Sequence, residues 1–221
     1  MVDIFDEVSD DLRTDRALAL AKRYGGLLFL AMVLVLLGVG GQQGWTWYQG
    51  QQNGKAANAY LALTATIDGA GGQISTAQQL SGAQSLTQFA ATAPEGYKTL
   101  SLLRAAGLYA DAGQSAQALG LWNQVAADAQ ADVLLRDLAN LYWAQHALGQ
   151  APDTDVLARL QPLAAMTNPY HGLAQESQAL VYLRQGKPDL AKALLTQITS
   201  DPNNPEGVQQ RAGLLLAKLN G

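Results

Sequence analysis

The sequence predicts an all-α protein in which a single N-terminal transmembrane helix is followed by an α-solenoid, a stack of short helix pairs. Residues 25–41 carry no charge and no hydrogen-bonding side chain, as expected of a membrane-spanning helix. The remainder is rich in Ala, Leu and Gln and has no long alternating run of β-branched residues, which favours helix over sheet. Glycine-containing turns recur at Gly113, Gly149 and Gly186, a spacing typical of helix-turn-helix repeats.

The first element is the transmembrane helix, predicted over residues 24–48. Crossing about 30 Å of hydrocarbon takes about 20 mostly apolar residues, and this segment supplies them. Paired cations, Lys22 and Arg23, precede it, and the aromatic residues Trp45 and Trp47 follow it, as is usual at the two interfaces. The alternative is a core helix of a globular domain, and it is disfavoured because the eleven consecutive apolar residues 27–37 leave no polar face toward solvent.

The distribution of cations predicts the orientation of this helix. Four cations precede it, whereas Lys55 is the one cation in the twenty residues that follow Tyr48. By the positive-inside rule, residues 1–23 form a cytoplasmic segment and residues 49–221 an extracytoplasmic domain. A cleaved signal peptide is the alternative, and it is disfavoured because the long preceding segment is acidic rather than short and basic.

Composition limits the classes of partner for residues 49–221. This part carries ten Lys or Arg against twelve Asp or Glu, a formal net charge of 10 − 12 = −2, and no basic cluster, so nucleic acid is not predicted to bind. The chain has no cysteine, which excludes disulfides and thiolate chemistry.

Two helices, over residues 55–66 and 73–93, are predicted to precede the repeats, with a glycine-rich connector between them. Three repeat units then follow around Gly113, Gly149 and Gly186, where each glycine is predicted to take the left-handed conformation that ends a helix. A last helix, residues 206–219, is predicted to close the stack with Leu214, Leu215, Leu216 and Leu219.

The repeat units resemble tetratricopeptide repeats. That family has a small residue and a Tyr in the first helix, a Gly at the turn, and an Ala followed by a large apolar residue in the second helix. Two units fit this pattern, with Ala106, Tyr109, Gly113, Ala118 and Trp122 in one and Ala179, Tyr182, Gly186, Ala191 and Leu195 in the other. The middle unit departs from it, because Pro152 and the residues after it supply no small residue at the expected position.

The repeat pattern gives a candidate peptide-binding face. Stacked helix pairs curve so that one helix of each pair faces inward, and such surfaces commonly receive peptides. We therefore predict that the first helices bind extended or partly unfolded polypeptide through Arg104, Tyr109, Arg136, Tyr142 and Tyr182. These three tyrosines, with Trp122 and Trp143, are also the first candidates for packing in the core, and the alternative to a binding face is a groove that is merely solvated.

The whole chain resembles the YfgM-like family of ancillary SecYEG translocon subunits, in its alphaproteobacterial form. The resemblance lies in the order of features: an acidic-then-basic start over residues 3–13, one span, an Ala-rich helical neck, residues 134–139 (LLRDLA) and the Asn-Pro-Tyr at 168–170. It implies an inner-membrane protein whose domain, residues 49–221, is periplasmic and contacts the Sec translocon and periplasmic chaperones. The alternative is a tethered repeat scaffold for envelope assembly or cell division.

No catalytic site is predicted. His146 and His171 lie in different repeats without Cys or Glu at metal-ligand spacing, and no Ser or carboxylate pair stands in a nucleophile or acid-base context. The sequence therefore predicts a protein that is not an enzyme, with no cofactor, no metal and no small-molecule substrate.

Overall fold

The computed structural model describes the backbone of residues 4–69 and 74–220 and, within those ranges, the side chains of residues 22, 24, 26, 29, 30 and 32 onward. These residues form α-helices joined by short turns, with no strand among them, which confirms the predicted all-α class. The helices are α1 Ile4–Asp68, α2 Thr76–Ala90, α3 Glu95–Asp111, α4 Ser115–Ala127, α5 Val133–Ala147, α6 Asp153–Leu163, α7 His171–Arg184, α8 Pro188–Ser200 and α9 Glu206–Asn220.

The chain divides into two compact units, Met1–Gly54 and Lys55–Gly221. In the first unit, α1 exposes its large apolar and aromatic side chains: Phe29 is 69% exposed and Trp47 is 66% exposed. No helix in the described part of the chain combines the length and the apolar character needed to cross a membrane. Positions 25, 27, 28 and 31 of the span predicted over residues 24–48 lie outside the described side chains.

The helix predicted over residues 55–66 is the C-terminal part of α1, which runs from Ile4 to Asp68 without a break. Single glycines such as Gly50 and Gly54 weaken a helix by about 1 kcal/mol each relative to Ala but do not end it. The start of α2 was predicted too early, at residue 73, whereas the helix begins at Thr76. Ser75 caps this helix: its side chain accepts a hydrogen bond from the backbone N–H of Gln78, whose side chain accepts one from the backbone N–H of Ser75.

In the second unit each helix packs against the next, from α2 through α9. The helices α3, α5, α7 and α9 also contact one another in this order, whereas α4, α6 and α8 do not contact one another. These contacts are those of a stack of helix pairs, in which the first helices share one side. We call the surface formed by α3, α5, α7 and α9 the inner face.

The core of the stack is continuous because neighbouring pairs share side chains. Each junction holds its own buried residues; examples are Leu86 and Leu108, then Leu102 and Trp122, then Leu141 and Leu160, and finally Leu195 and Ile198. Tyr109, Trp143 and Leu173 each pack against two neighbouring clusters. Each large side chain buried in this way contributes about 1.5–3 kcal/mol.

The three predicted turn glycines all take the left-handed conformation, with φ of 75° at Gly113, 84° at Gly149 and 70° at Gly186. At Gly113 and Gly186 the helix ends in a Schellman motif: the N–H of Gln114 donates to the carbonyl of Tyr109 (2.7 Å), and the same bond recurs at Gly186. The middle repeat has a different turn. There Gly149 is the third residue of a type II turn that the N–H of Gln150 closes on the carbonyl of Ala147 (2.8 Å).

The closing helix α9 packs on the end of the stack, but one predicted contact was wrong. Leu214 is 73% exposed. The face that α9 buries runs through Val208, Ala212, Leu215 and Leu219, at intervals of three and four residues. Leu214 is one position from Leu215, which turns it about 100° away from the core.

Candidate functional site

A cavity of about 350 Å³ lies on the inner face between α3 and α5. This volume falls in the range of small ligand sites. We call it the α3–α5 cavity, and it is lined by Tyr60, Leu100, Leu103, Arg104, Gly107, Ala110, Asp111, Trp122, Leu135, Leu138, Tyr142 and His146.

The α3 wall of the cavity is an apolar stripe. Leu100, Leu103, Gly107 and Ala110 follow one another at intervals of three and four residues, which places them on one side of the helix. At Gly107 an added Cβ would meet no atom within 4 Å. The wall is therefore open at this position, because the neighbouring helices do not fill the space that a side chain would take.

Trp122 of α4 reaches the cavity from the core and is only 1% exposed. Its ring centroid lies 4.6 Å from that of His146 and 5.8 Å from that of Tyr142. Its Nε1 is buried and has no acceptor among the described residues. Packing alone therefore holds this ring, and the aromatic side chains of α4 and α5 form one surface.

The charged groups around the cavity leave one carboxylate unpaired. Arg104 forms an ion pair with Asp68 at the end of α1. Burial lowers the pKa of His146 below its usual value, an effect that the nearby Asp111 carboxylate opposes, so the imidazole is neutral at pH 7. Asp111 forms no ion pair with any cation of the described residues. The cavity is thus apolar inside, with a net negative charge at its edge.

Comparison with known protein families matches residues 20–220 to the tetratricopeptide repeat-like domain. The chain belongs to the tetratricopeptide repeat-like family. No curated protein and no solved structure shows significant similarity to it. Repeat domains of this kind generally mediate protein–protein interactions and are typically non-catalytic scaffolds.

Within this repeat domain, the predicted peptide-binding residues lie in different environments. Arg104 and Tyr142 line the α3–α5 cavity, and Tyr142 is 38% exposed. Tyr109 and Tyr182 are half-buried and pack against core clusters. Arg136 is half-buried on α5 and does not line the cavity. The structure therefore brings two of the five predicted residues together at this cavity.

Several cavity residues were missed from the sequence, although a local signal marks them. Leu100, Leu103 and Gly107 form a stripe on α3 that the repeat pattern does not require, and Leu135 and Leu138 form a matching stripe on α5. These positions could have been found by asking which apolar residues of the first helices fall outside the repeat pattern. Trp122 was assigned to the core, which its burial confirms.

A second cavity of about 300 Å³ continues the inner face between α5, α7 and α9. Arg211 holds Glu176 there with two hydrogen bonds, of 2.8 Å from Nε and 2.7 Å from Nη2, and the carboxylate raises the pKa of the guanidinium. Gln145 of α5 donates to the hydroxyl of Ser177 of α7 at 3.3 Å. Polar groups at this end of the inner face are therefore paired with each other.

The two histidines contact different parts of the repeat domain and take part in packing. His171 is 7% exposed, and its ring nitrogens lie 2.9 Å from the carbonyl of Asn168 and 3.1 Å from Asp201. These contacts fasten the start of α7 to the turn after α8. His146 packs against Trp122 at the α3–α5 cavity.

Proposed function

We propose that this chain is a membrane-anchored periplasmic scaffold whose inner face binds polypeptide partners at the Sec translocon and in the periplasmic chaperone network. The observation that carries the proposal is the α3–α5 cavity, a largely apolar and open site of ligand size in a domain family that binds proteins. No feature of this cavity calls for a reacting group, a metal or a cofactor, and the proposed activity is binding alone.

The membrane anchor is supported by the character of the first unit. Phe29, Leu37 and Trp47, for example, are each more than half exposed. Such a surface is costly in water and is stabilised in lipid. Together with the apolar run over residues 25–41 and the preceding cations, this supports a span over residues 24–48, a cytoplasmic N-terminus and a periplasmic repeat domain from residue 49.

The proposed partners rest on the resemblance to the YfgM-like family, which reaches from the acidic start to the Asn-Pro-Tyr at 168–170. A tether contributes to such a function directly. It holds the inner face near the membrane at a high effective concentration, so that a weak interaction with each partner suffices.

Co-purification in mild detergent tests the proposal. Leu100 lines the α3–α5 cavity and is 38% exposed, so Leu100→Glu places a charge in the site without burying it in the core. Leu190 on α8 is 49% exposed and lines neither of the two cavities described above. Leu190→Glu is therefore a matched control. Wild type and L190E are expected to retain translocon subunits or chaperones, whereas L100E loses them.

Three results would contradict the proposal. If L100E retains its partners as well as L190E does, the cavity is not the binding site. If wild type retains no translocon subunit and no chaperone, the proposed partners are wrong, and recovery of division or envelope-assembly factors would support the alternative scaffold. A reporter protein that works only in the periplasm should be active when it is fused after Gly221. If it is inactive there, while a reporter that works only in the cytoplasm is active at the same position, the proposed orientation is refuted.

A further inference from the structure

Gly107 is a helix-interior glycine that the fold itself does not require. It lies within α3 without a positive φ, and an added Cβ would meet no atom within 4 Å. By contrast, a Cβ at Gly82 of α2 would come within 2.9 Å of the Ile67 side chain, so packing explains that glycine. Glycine weakens a helix relative to alanine, and its usual advantage is close approach of another group to the backbone.

The group that approaches Gly107 would lie in the α3–α5 cavity, because Gly107 is half-buried and forms part of its wall. Around the glycine the walls are apolar: Leu100 and Leu103 belong to the same stripe, and Leu138 faces them from α5. A large apolar side chain matches these walls, since it would exchange contact with water for contact with their hydrocarbon.

Asp111 adds a charge requirement to this apolar site. It follows Gly107 by one helical turn, lines the same cavity and has no ion-pair partner among the described residues. Arg104 is neutralised by Asp68, and His146 is uncharged at pH 7. A cation next to the apolar group would therefore complement the Asp111 carboxylate, which has no such partner.

We infer that the α3–α5 cavity anchors an extended polypeptide by one large apolar side chain that lies against Gly107, with a lysine or arginine beside the anchor facing Asp111. This inference rests on the proposed protein-binding function and specifies the segment that is bound. The bound segment of the partner therefore contains a large apolar residue next to a lysine or arginine. Binding of a small apolar molecule or of an acidic segment instead would count against the inference.

The test uses the full chain in detergent micelles with the indole nitrogens of its four tryptophans labelled for NMR. The signal of Trp122, assigned with Trp122→Phe, reports on the cavity. The probes are synthetic Gly/Ser peptides that carry a central Phe-Lys, Phe-Glu or Ser-Lys pair, titrated at low salt. We expect the Phe-Lys peptide to shift the Trp122 signal and to bind about fivefold more tightly than the Phe-Glu peptide, a ratio typical of one partly exposed charge pair. The Ser-Lys peptide should not bind.

Two substitutions locate the effect. Gly107→Leu fills the open wall with a good helix former and should lower affinity for the Phe-Lys peptide at least about tenfold while the melting temperature is unchanged or raised. Gly120→Leu, at an exposed glycine of α4 where a Cβ also meets no atom within 4 Å, is the matched control and should bind as wild type does. Asp111→Asn should remove the preference for Phe-Lys over Phe-Glu.

The inference is overturned if the folded G107L variant binds the Phe-Lys peptide as wild type does, or if the Phe-Glu peptide binds equally well. If G107L unfolds, Gly107→Ala replaces it, and unchanged affinity in that variant together with an unshifted Trp122 signal in wild type would also overturn it. The outcome for this inference can be distinguished from the outcome for the proposed function. If the proposed partners co-purify equally with wild type and G107L, the protein is a scaffold that binds them elsewhere. If the peptides bind but the proposed partners do not co-purify, only the identity of those partners is refuted.

Discussion

Replacing Trp122 with alanine should destabilise the repeat domain by about 3 kcal/mol. The side chain is 1% exposed and packs against Leu102, Val125 and small residues of α3, α4 and α5. An aromatic side chain buries about 150–250 Å², which at about 25 cal/mol per Å² gives roughly 4–6 kcal/mol as an upper estimate. Substitutions of this kind cost about 3–5 kcal/mol. We expect the lower end, because the ring borders a cavity that water can enter.

Thermal unfolding of the full chain in detergent, followed by circular dichroism, measures this effect. For a domain of this size about 1 kcal/mol corresponds to about 2–4 °C, so Trp122→Ala should lower the melting temperature by about 6–12 °C. Trp122→Phe should cost less than about 1.5 kcal/mol, because it keeps most of the packing and removes the indole N–H that has no acceptor. Leu214→Ala, at a position that is 73% exposed, is the control and should change little.

An unchanged melting temperature for Trp122→Ala would refute the reasoning. It would mean that Trp122 does not join α3, α4 and α5, and the core cluster between these helices would have to be assigned differently. If Leu214→Ala lowers the melting temperature as much as Trp122→Ala does, the assay reports something other than core packing.

Two further predictions concern the turns and the pH dependence. Gly113→Ala should destabilise the fold by about 1–2 kcal/mol in urea unfolding, because φ at this position is 75°, whereas Gly120→Ala within α4 should stabilise it by up to about 1 kcal/mol. The Arg184 side chain donates to Asp153 and holds the pKa of that carboxyl below its usual value, so the contribution of this pair is present above the unfolded pKa of about 3.9 and is lost as pH falls through the folded pKa. Arg184→Gln should therefore lose less stability than wild type between pH 5 and pH 2, and equal losses would exclude this pair as a cause.

The parts of the fold that local chemistry determines could be predicted from the sequence. Gly113 and Gly186 end their helices as expected because the Schellman motif depends on a few neighbouring residues. The capping box at Ser75 and Gln78 is equally local and could have placed the start of α2. The burial of Trp122 followed from its place in the repeat pattern.

The candidate site was only partly predictable, because it depends on how helices turn relative to one another. The repeat pattern places Arg104 and Arg136 both on first helices, but only Arg104 lines the α3–α5 cavity. The orientation of α5 depends in part on contacts with α3 and α7, which are not its neighbours in sequence. A cavity also depends on which positions in space no side chain fills. The sequence does not show that the space next to Gly107 is empty.

Photocrosslinking in living cells tests most directly the central claim that the inner face binds polypeptide partners. A photoreactive phenylalanine analogue replaces Tyr142, which lines the α3–α5 cavity and is 38% exposed, or Leu190, which is 49% exposed on α8. We predict protein adducts from position 142, with translocon subunits or periplasmic chaperones among them, and few or none from position 190. Adducts that are equally abundant at both positions, or found only at position 190, would contradict the claim.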